Sequence, residues 1–161
     1  MRYHNITKDD MLNGSGLRVV LWVAGCAHHC PQCQNPITWD PDGGLPFADA
    51  EKQEILQELE KDYISGITFS GGDPLHPANI GEVTALAREI TQRYPEKTIW
   101  LYTGYLWEEV GDWEIVQYLD VLVDGRYKPW LKDVHYKWAG STNQRVIDVK
   151  KTLEQGRVIL Y

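Results

Sequence analysis

The sequence lacks an excess of positive charge, a long apolar run, internal repeats, and any cysteine outside one short loop. Its 161 residues carry 16 Lys and Arg against 23 Asp and Glu, a formal net charge of −7. Affinity for a phosphate backbone rests on clustered Lys and Arg, so this balance argues against a nucleic-acid partner. The longest apolar run, Val19 to Ala27, falls far short of the roughly 20 residues a membrane-spanning helix needs. The segment before it is polar, with Lys8, Asp9 and Asp10, unlike a secretory signal. No membrane association and a cytoplasmic location are the expectation. With no linker or low-complexity tract, residues 1–161 are expected to form a single domain with a real core. Three cysteines, an odd number in one loop, leave no disulfide framework. In a reducing compartment, grouped thiols more often bind metal.

Short β-rich runs recur, each followed by Gly-rich or polar residues and then an amphipathic stretch. "LRVVLWVA" (Leu17–Ala24) reads as a strand buried on both faces. "ADAEKQEILQELEKDY" predicts a helix with Asp49 as N-cap and Ile55, Leu56, Leu59 and Tyr63 on its apolar face. "GITFS" (Gly66–Ser70) predicts a strand ending in "GGDP". Asn79 then caps a helix whose stripe is Val83, Leu86, Ala87 and Ile90. "TIWLY" (Thr98–Tyr102) and "LDVLV" (Leu119–Val123) predict strands ending in "TGY" and "DGRY", with a broken helix between them from Leu106 to Tyr118. "RVIDV" and the terminal "RVILY" predict further strands. Alternating strands and helices predict an α/β fold with a mostly parallel sheet and ligands at the carboxyl ends of its strands. A full (β/α) barrel takes about 250 residues, so an incomplete barrel with an open mouth is expected.

"CAHHCPQC", Cys26 through Cys33, holds all three thiols in eight residues. A structural zinc site brings four protein ligands. His28 or His29 could complete a Cys₃His set, although both lie inside the loop that the cysteines must wrap. In a 4Fe-4S cluster held by three thiolates one iron keeps an open outer position, and an open position marks a reactive site. A small molecule is then expected on that iron.

The spacing C-x-x-x-C-x-x-C at Cys26, Cys30 and Cys33, after a first buried strand, resembles the radical S-adenosylmethionine superfamily, and "SGGDPLHP" (Ser70–Pro77) resembles its second motif. The resemblance implies that Cys26, Cys30 and Cys33 hold a 4Fe-4S cluster whose open iron is chelated by the amine and carboxylate of S-adenosylmethionine. It implies cofactor contacts from Gln32, Cys33 and Gln34, from Gly71, Gly72 and Asp73, and from Thr103, with Gly104 and Tyr105 beside it. Asp73 is expected to fix its loop or the cofactor ammonium rather than act as a base. Many superfamily members carry an aromatic residue before the third cysteine. Here it is Gln32, so the backbone from Gln32 to Gln34 is expected to hold the adenine.

"GLRVVLWVAGC", "CQNPITW", "IWLYTGY", "DVLVDGRY" and "GSTNQRVIDV" further resemble the activating proteins of the anaerobic ribonucleoside-triphosphate reductases. That resemblance implies a radical S-adenosylmethionine oxidoreductase that places a glycyl radical near the C-terminus of a large reductase. Its partners would be that reductase and an electron donor such as a flavodoxin-type protein. An activase of formate-lyase type and a non-catalytic iron–sulfur or zinc module are the alternatives. Asp124, Gly125 and Arg126 have either a site role or, for the two charges, a mutual surface ion pair. Trp130 and Trp138 are candidates for partner contact.

Overall fold

The computed structural model describes residues 1–161. Strand β1 (Arg2–Asp10) leads to β2 (Leu17–Val23), and the cysteine loop then reaches a two-residue strand, β3 (Leu45–Pro46). Helix α1 (Asp49–Leu59), β4 (Ile64–Gly71), α2 (Ile80–Arg93), β5 (Thr98–Tyr102) and the one-turn α3 (Trp107–Val110) follow. The chain ends with β6 (Val121–Asp124), β7 (Arg145–Asp148) and α4 (Val149–Gln155). No helix is long and apolar enough to cross a membrane.

The expected incomplete barrel with a mostly parallel sheet is not formed. All seven strands share one open sheet in the order β3-β1-β2-β4-β5-β6-β7. Its centre, β2–β4–β5–β6, is parallel, but β1–β2, β1–β3 and β6–β7 are antiparallel. The connections give the reason. Parallel neighbours need a crossover of about a dozen residues or more. Residues 11–16 between β1 and β2 are too few, so the chain can only reverse. Residues 125–144 contain no α-helix to carry the chain across a face, and β7 returns along the free edge of β6.

Other expectations shift locally. The polar segment at Lys8–Asp10 belongs to β1, whose half-exposed position lets charged residues into a strand. Ala48, not Asp49, sits at the N-cap of α1, and the Glu51 carboxylate accepts from the Ala48 N–H at 2.8 Å. That helix stops at Leu59, which leaves Tyr63 outside it and exposed. The terminal "RVILY" makes only a single bridge, Leu160 to Ile147, because α4 occupies the residues before it. The stripe Val83, Leu86, Ala87 and Ile90 is buried as its spacing requires.

Alternate residues of the central strands serve two faces. Val19, Leu21 and Val23 of β2, Ile67 and Phe69 of β4, and Ile99 and Leu101 of β5 join the core beneath α1, α2 and α3. Full burial of each such side chain stabilises by roughly 1.5–3 kcal/mol. The opposite face has only a small apolar cluster of Trp100, Val121 and Val123, packed by Tyr102, Trp138 and Val146. Beside it the fully buried Arg18 donates to Thr68 Oγ1 (2.9 Å), Ile67 O (2.7 Å), Thr98 O (2.9 Å) and Ser15 O (3.0 Å). Its guanidinium lies 5.5 Å from the Trp100 ring centroid.

Candidate iron–sulfur centre

The cysteine loop begins where β2 ends. Its base is closed by Gly25 N–H donating to Thr38 O (2.7 Å) and Cys26 N–H donating to Trp39 O (3.1 Å). Inside, Cys33 N–H donates to Cys30 O (3.2 Å) and a short turn covers Pro36–Thr38. His29 and Gln32 adopt left-handed backbones, with φ of 48° and 54°. Such a conformation costs an L-residue roughly 1–2 kcal/mol, and the loop holds it partly by stacking His29 on Trp39, with ring centroids 4.5 Å apart. All three thiols are free and half-buried. Burial pushes the Cys26 thiol upward, opposed by the backbone N–H groups of His28 and His29. Asn35 N–H donates to Cys33 Sγ at 3.4 Å. Free thiols with backbone N–H groups turned toward sulfur fit the outer ligands of an iron–sulfur cluster. No three His, Cys, Asp or Glu side chains converge on one point for a single metal ion.

The loop after β4 docks against this base. Gly71 has φ +103°, Gly72 N–H donates to Val23 O (2.8 Å) and Asp73 N–H donates to Gly25 O (2.7 Å). A Cβ at position 72 would lie 2.5 Å from the Gly25 carbonyl oxygen and 2.8 Å from that of Thr38. Gly72 is therefore required for the two loops to touch, whatever ligand they hold.

Asp73, 2% exposed, ties three loops together. Its carboxylate accepts from Leu75 N–H (2.8 Å), Thr103 Oγ1 (2.8 Å), Gly104 N–H (3.0 Å) and His28, whose Nε2 is 2.6 Å away. Four donors fill the acceptor capacity of a carboxylate, so this one is occupied in fixing the loops. His28 is buried with its Nε2 turned to Asp73 and its ring edge-on to Tyr105, 4.7 Å between centroids. A Cys₃His set using that nitrogen is accordingly absent. Asn79, at the N-cap of α2, makes no cap bond and instead donates from Nδ2 to Ala24 O (2.8 Å) and Asp73 O (3.0 Å). For His28, weighed as a metal ligand, and Asn79, weighed as a helix cap, the clasping role is what sequence reasoning missed. Each acts on a partner 45 or more residues away, and no local pattern announces such a pairing.

A cleft of about 850 Å³ opens beside the loop. Cys33, Gln34 and Gly71 line it at the carboxyl ends of the strands, with Trp22 and Tyr102 on its floor. Gly72, Asp73 and Thr103 lie behind this wall, and Gln32 is exposed outside it. Another cavity, about 770 Å³, lies at the amino ends of the strands near Ile64 and Thr98, away from the thiols.

A family model described as a 4Fe-4S single cluster domain matches residues 12–147. An anaerobic ribonucleoside-triphosphate reductase-activating protein of Enterobacteria phage T4 is 43% identical over 146 residues, 91% of this chain and 93% of that protein. Its Escherichia coli counterpart is 41% identical over 150 residues, 91% and 97% of the two chains. One from Vibrio cholerae is 38% identical over 148 residues, 89% and 96% of the two chains. The chain belongs to the anaerobic ribonucleoside-triphosphate reductase-activating protein family.

Two of the stretches that carry the sequence resemblance, "DGRY" and "GSTNQR", pack on each other. Fully buried Asp124 accepts from Trp107 N–H (2.8 Å) and from Arg145, whose Nη2 lies 2.5 Å away. Arg145 also grips Glu108 through Nη1 (3.1 Å) and Nη2 (2.8 Å). The bonds to Asp124, and after them those to Glu108, push the Arg145 pKa upward and hold the guanidinium protonated. The surface ion pair considered between Asp124 and Arg126 is not formed: buried Asp124 pairs with Arg145, and Arg126 is exposed. Gln144 accepts from Gly140 and Ser141 N–H (both 3.0 Å) and donates to Gly125 O (3.0 Å). Together these bonds fix the segment 126–140 over the cleft. Trp138 is half-buried, edge-on to Trp100 at 5.0 Å between centroids, and lines the cleft, whereas Trp130 is 70% exposed.

Proposed function

We propose that residues 1–161 act as one domain, a radical S-adenosylmethionine activase of an anaerobic ribonucleoside-triphosphate reductase. The observation that carries it is a loop of three free thiols, one of them, Cys33, lining a cleft, in a chain whose relatives bear that activating-protein name. When bound, a 4Fe-4S cluster with S-adenosylmethionine on its open iron supplies an electron that splits the sulfonium, and the resulting 5′-deoxyadenosyl radical takes hydrogen from a C-terminal glycine of the reductase. Cys26, Cys30 and Cys33 are the cluster ligands in this reading. The Asn35 N–H lowers the charge density on the Cys33 sulfur. Cys33, Gln34 and Gly71 present backbone to the cofactor, Gln32 completes the loop outside the cleft, and Gly72, Asp73 and Thr103 hold that backbone in place. Tyr102 and Trp22 floor the cleft and keep water from the reacting carbon. A one-electron donor of flavodoxin type would reach the cluster from the exposed outer side of the loop.

Anaerobic reconstitution with iron and sulfide should load about four of each per chain. With reductant, S-adenosylmethionine and a reductase deuterated at its target glycine, deuterium should appear in 5′-deoxyadenosine. Any one of Cys26→Ala, Cys30→Ala or Cys33→Ala should abolish both results. Tight stoichiometric zinc with iron-independent activity would sink the cluster reading. Label transfer only from a formate-lyase type partner would overturn the choice of substrate.

A further inference from the structure

We propose that the strap from Arg126 to Lys137 is the docking surface for an acidic segment of the protein substrate, an inference that rests on the activase reading above. The chain as a whole is acidic, with 23 carboxylates against 16 Lys and Arg. Within the strap the balance reverses: Arg126, Lys128, Lys132 and Lys137 face Asp133 alone. All four cations are exposed and none joins an ion pair. Cations elsewhere on the surface are commonly engaged, Lys52 with Glu89, Arg88 with Glu114 and Lys150 with Asp120. An isolated positive stripe on an acidic protein draws in an acidic partner and turns away others.

Apolar side chains interleave with these charges. Trp130 is 70% exposed, Val134 79% and Leu131 36%. Exposed aromatic and aliphatic groups among cations are the composition of a protein interface core with its charged rim. The strap is held by bonds that leave those side chains free. Thr142 N–H donates to Leu131 O (2.9 Å), Lys128 N–H to Ser141 Oγ (3.1 Å) and Tyr136 OH to Gln144 O (2.6 Å). Its inner edge, through Lys132 and Lys137, lines the cleft that Cys33 also lines. A segment seated on the strap is thereby delivered to the mouth of the site. A nucleic acid would meet repulsion from the rest of a chain whose overall net charge, strap included, is −7.

The test uses the reconstituted full-length protein and the reductase from the same source. The variants are Arg126→Glu with Lys128→Glu, and separately Trp130→Ser, none of which lines the cleft. Lys151→Glu, an exposed residue of α4, controls for net charge. S-adenosylmethionine cleavage without reductase should stay within about twofold of the parent. Calorimetric affinity for the reductase should fall at least about tenfold in the double reversal at low ionic strength, the gap narrowing as salt screens the charges. Trp130→Ser should weaken it by about fivefold or more, and Lys151→Glu by less than about twofold. Unchanged reductase affinity in the double reversal overturns the docking surface, whatever happens to cleavage. A change confined to self-association, or to binding of a short single-stranded DNA, overturns it as well. Strap-dependent reductase binding by a parent protein that never cleaves S-adenosylmethionine would uphold the surface and defeat the activase reading instead.

Discussion

On β4, Ile67 and Phe69 turn toward the helices while Thr68 and Ser70 turn the other way, and the two sets of neighbours share little chemistry. Phe69 sits among aliphatic side chains of α1, α2 and the adjacent strands, with no accessible surface. Thr68 donates to Asn13 O (2.7 Å) and accepts from Arg18, and Ser70 borders the cleft. The helical face gains its stability from dehydrated hydrocarbon, which needs no orientation. The open face has a buried cation, hydroxyls and aromatic floors, each requiring a partner in a fixed direction. Stability is thus concentrated on one face, and the other is left free to bind and react.

The sharpest way to break this division is on the helical face. Phe69→Ala should lose about 3–5 kcal/mol of unfolding free energy, because it removes a fully buried ring and leaves a cavity. Chemical denaturation of the apo protein reads this directly. An effect under about 1 kcal/mol would mean that the two faces do not differ in the way described.

Arg18→Ala tests the opposite face. Burial lowers the Arg18 pKa to about 10, so it remains charged at neutral pH with only neutral acceptors around it. Removing it strands the Thr98 and Ile67 carbonyl oxygens and the ring face of Trp100. A loss of about 2–4 kcal/mol is expected by the same denaturation measurement. Above pH 10 the contribution of Arg18 itself rises with pH toward the unfolded value, since the unfolded chain then holds this proton more firmly. It is read as the difference between parent and variant, because half-buried Tyr102 trends the other way. Arg18→Ala should not show that gain.

His28→Ala should have the smallest effect on folding, about 1–3 kcal/mol, because Asp73 keeps three of its four donors. Its main consequence should be local. Amide exchange should speed up in residues 26–35 and 103–105, while β4 and α2 stay protected. Uniform protection would show that the His28–Asp73 contact does not clasp the loops.

Much of the helical face was legible in the sequence. Val83, Leu86, Ala87 and Ile90 recur at helical spacing, and Val19–Val23 is a continuous apolar run. Both patterns are local, and burial enforces them. The antiparallel edges were not legible, because β1 is polar and half-exposed and strand direction is set by the length of a connection. Of the site, the cysteine loop and "GGDP" stood out because thiol spacing and paired glycines are rare combinations. The clasps could not be read. His28 and Asp73 are 45 residues apart, and Asp124 and Arg145 are 21 apart, so neither has any periodicity to betray it.

The sequence by itself determined where the candidate chemistry lies: three thiols in one loop and a pair of glycines after a strand. It also determined the apolar stripes that bury α1 and α2, since both kinds of information lie within one or two turns of chain. Only the tertiary structure decided that the sheet is open and mixed, that Asp73 is filled by four donors, and that the strap 126–140 roofs the cleft. Those outcomes depend on which distant groups meet once the helical core has collapsed. A hydrogen bond chooses its partner by position in space, and position in space is what a sequence window does not contain.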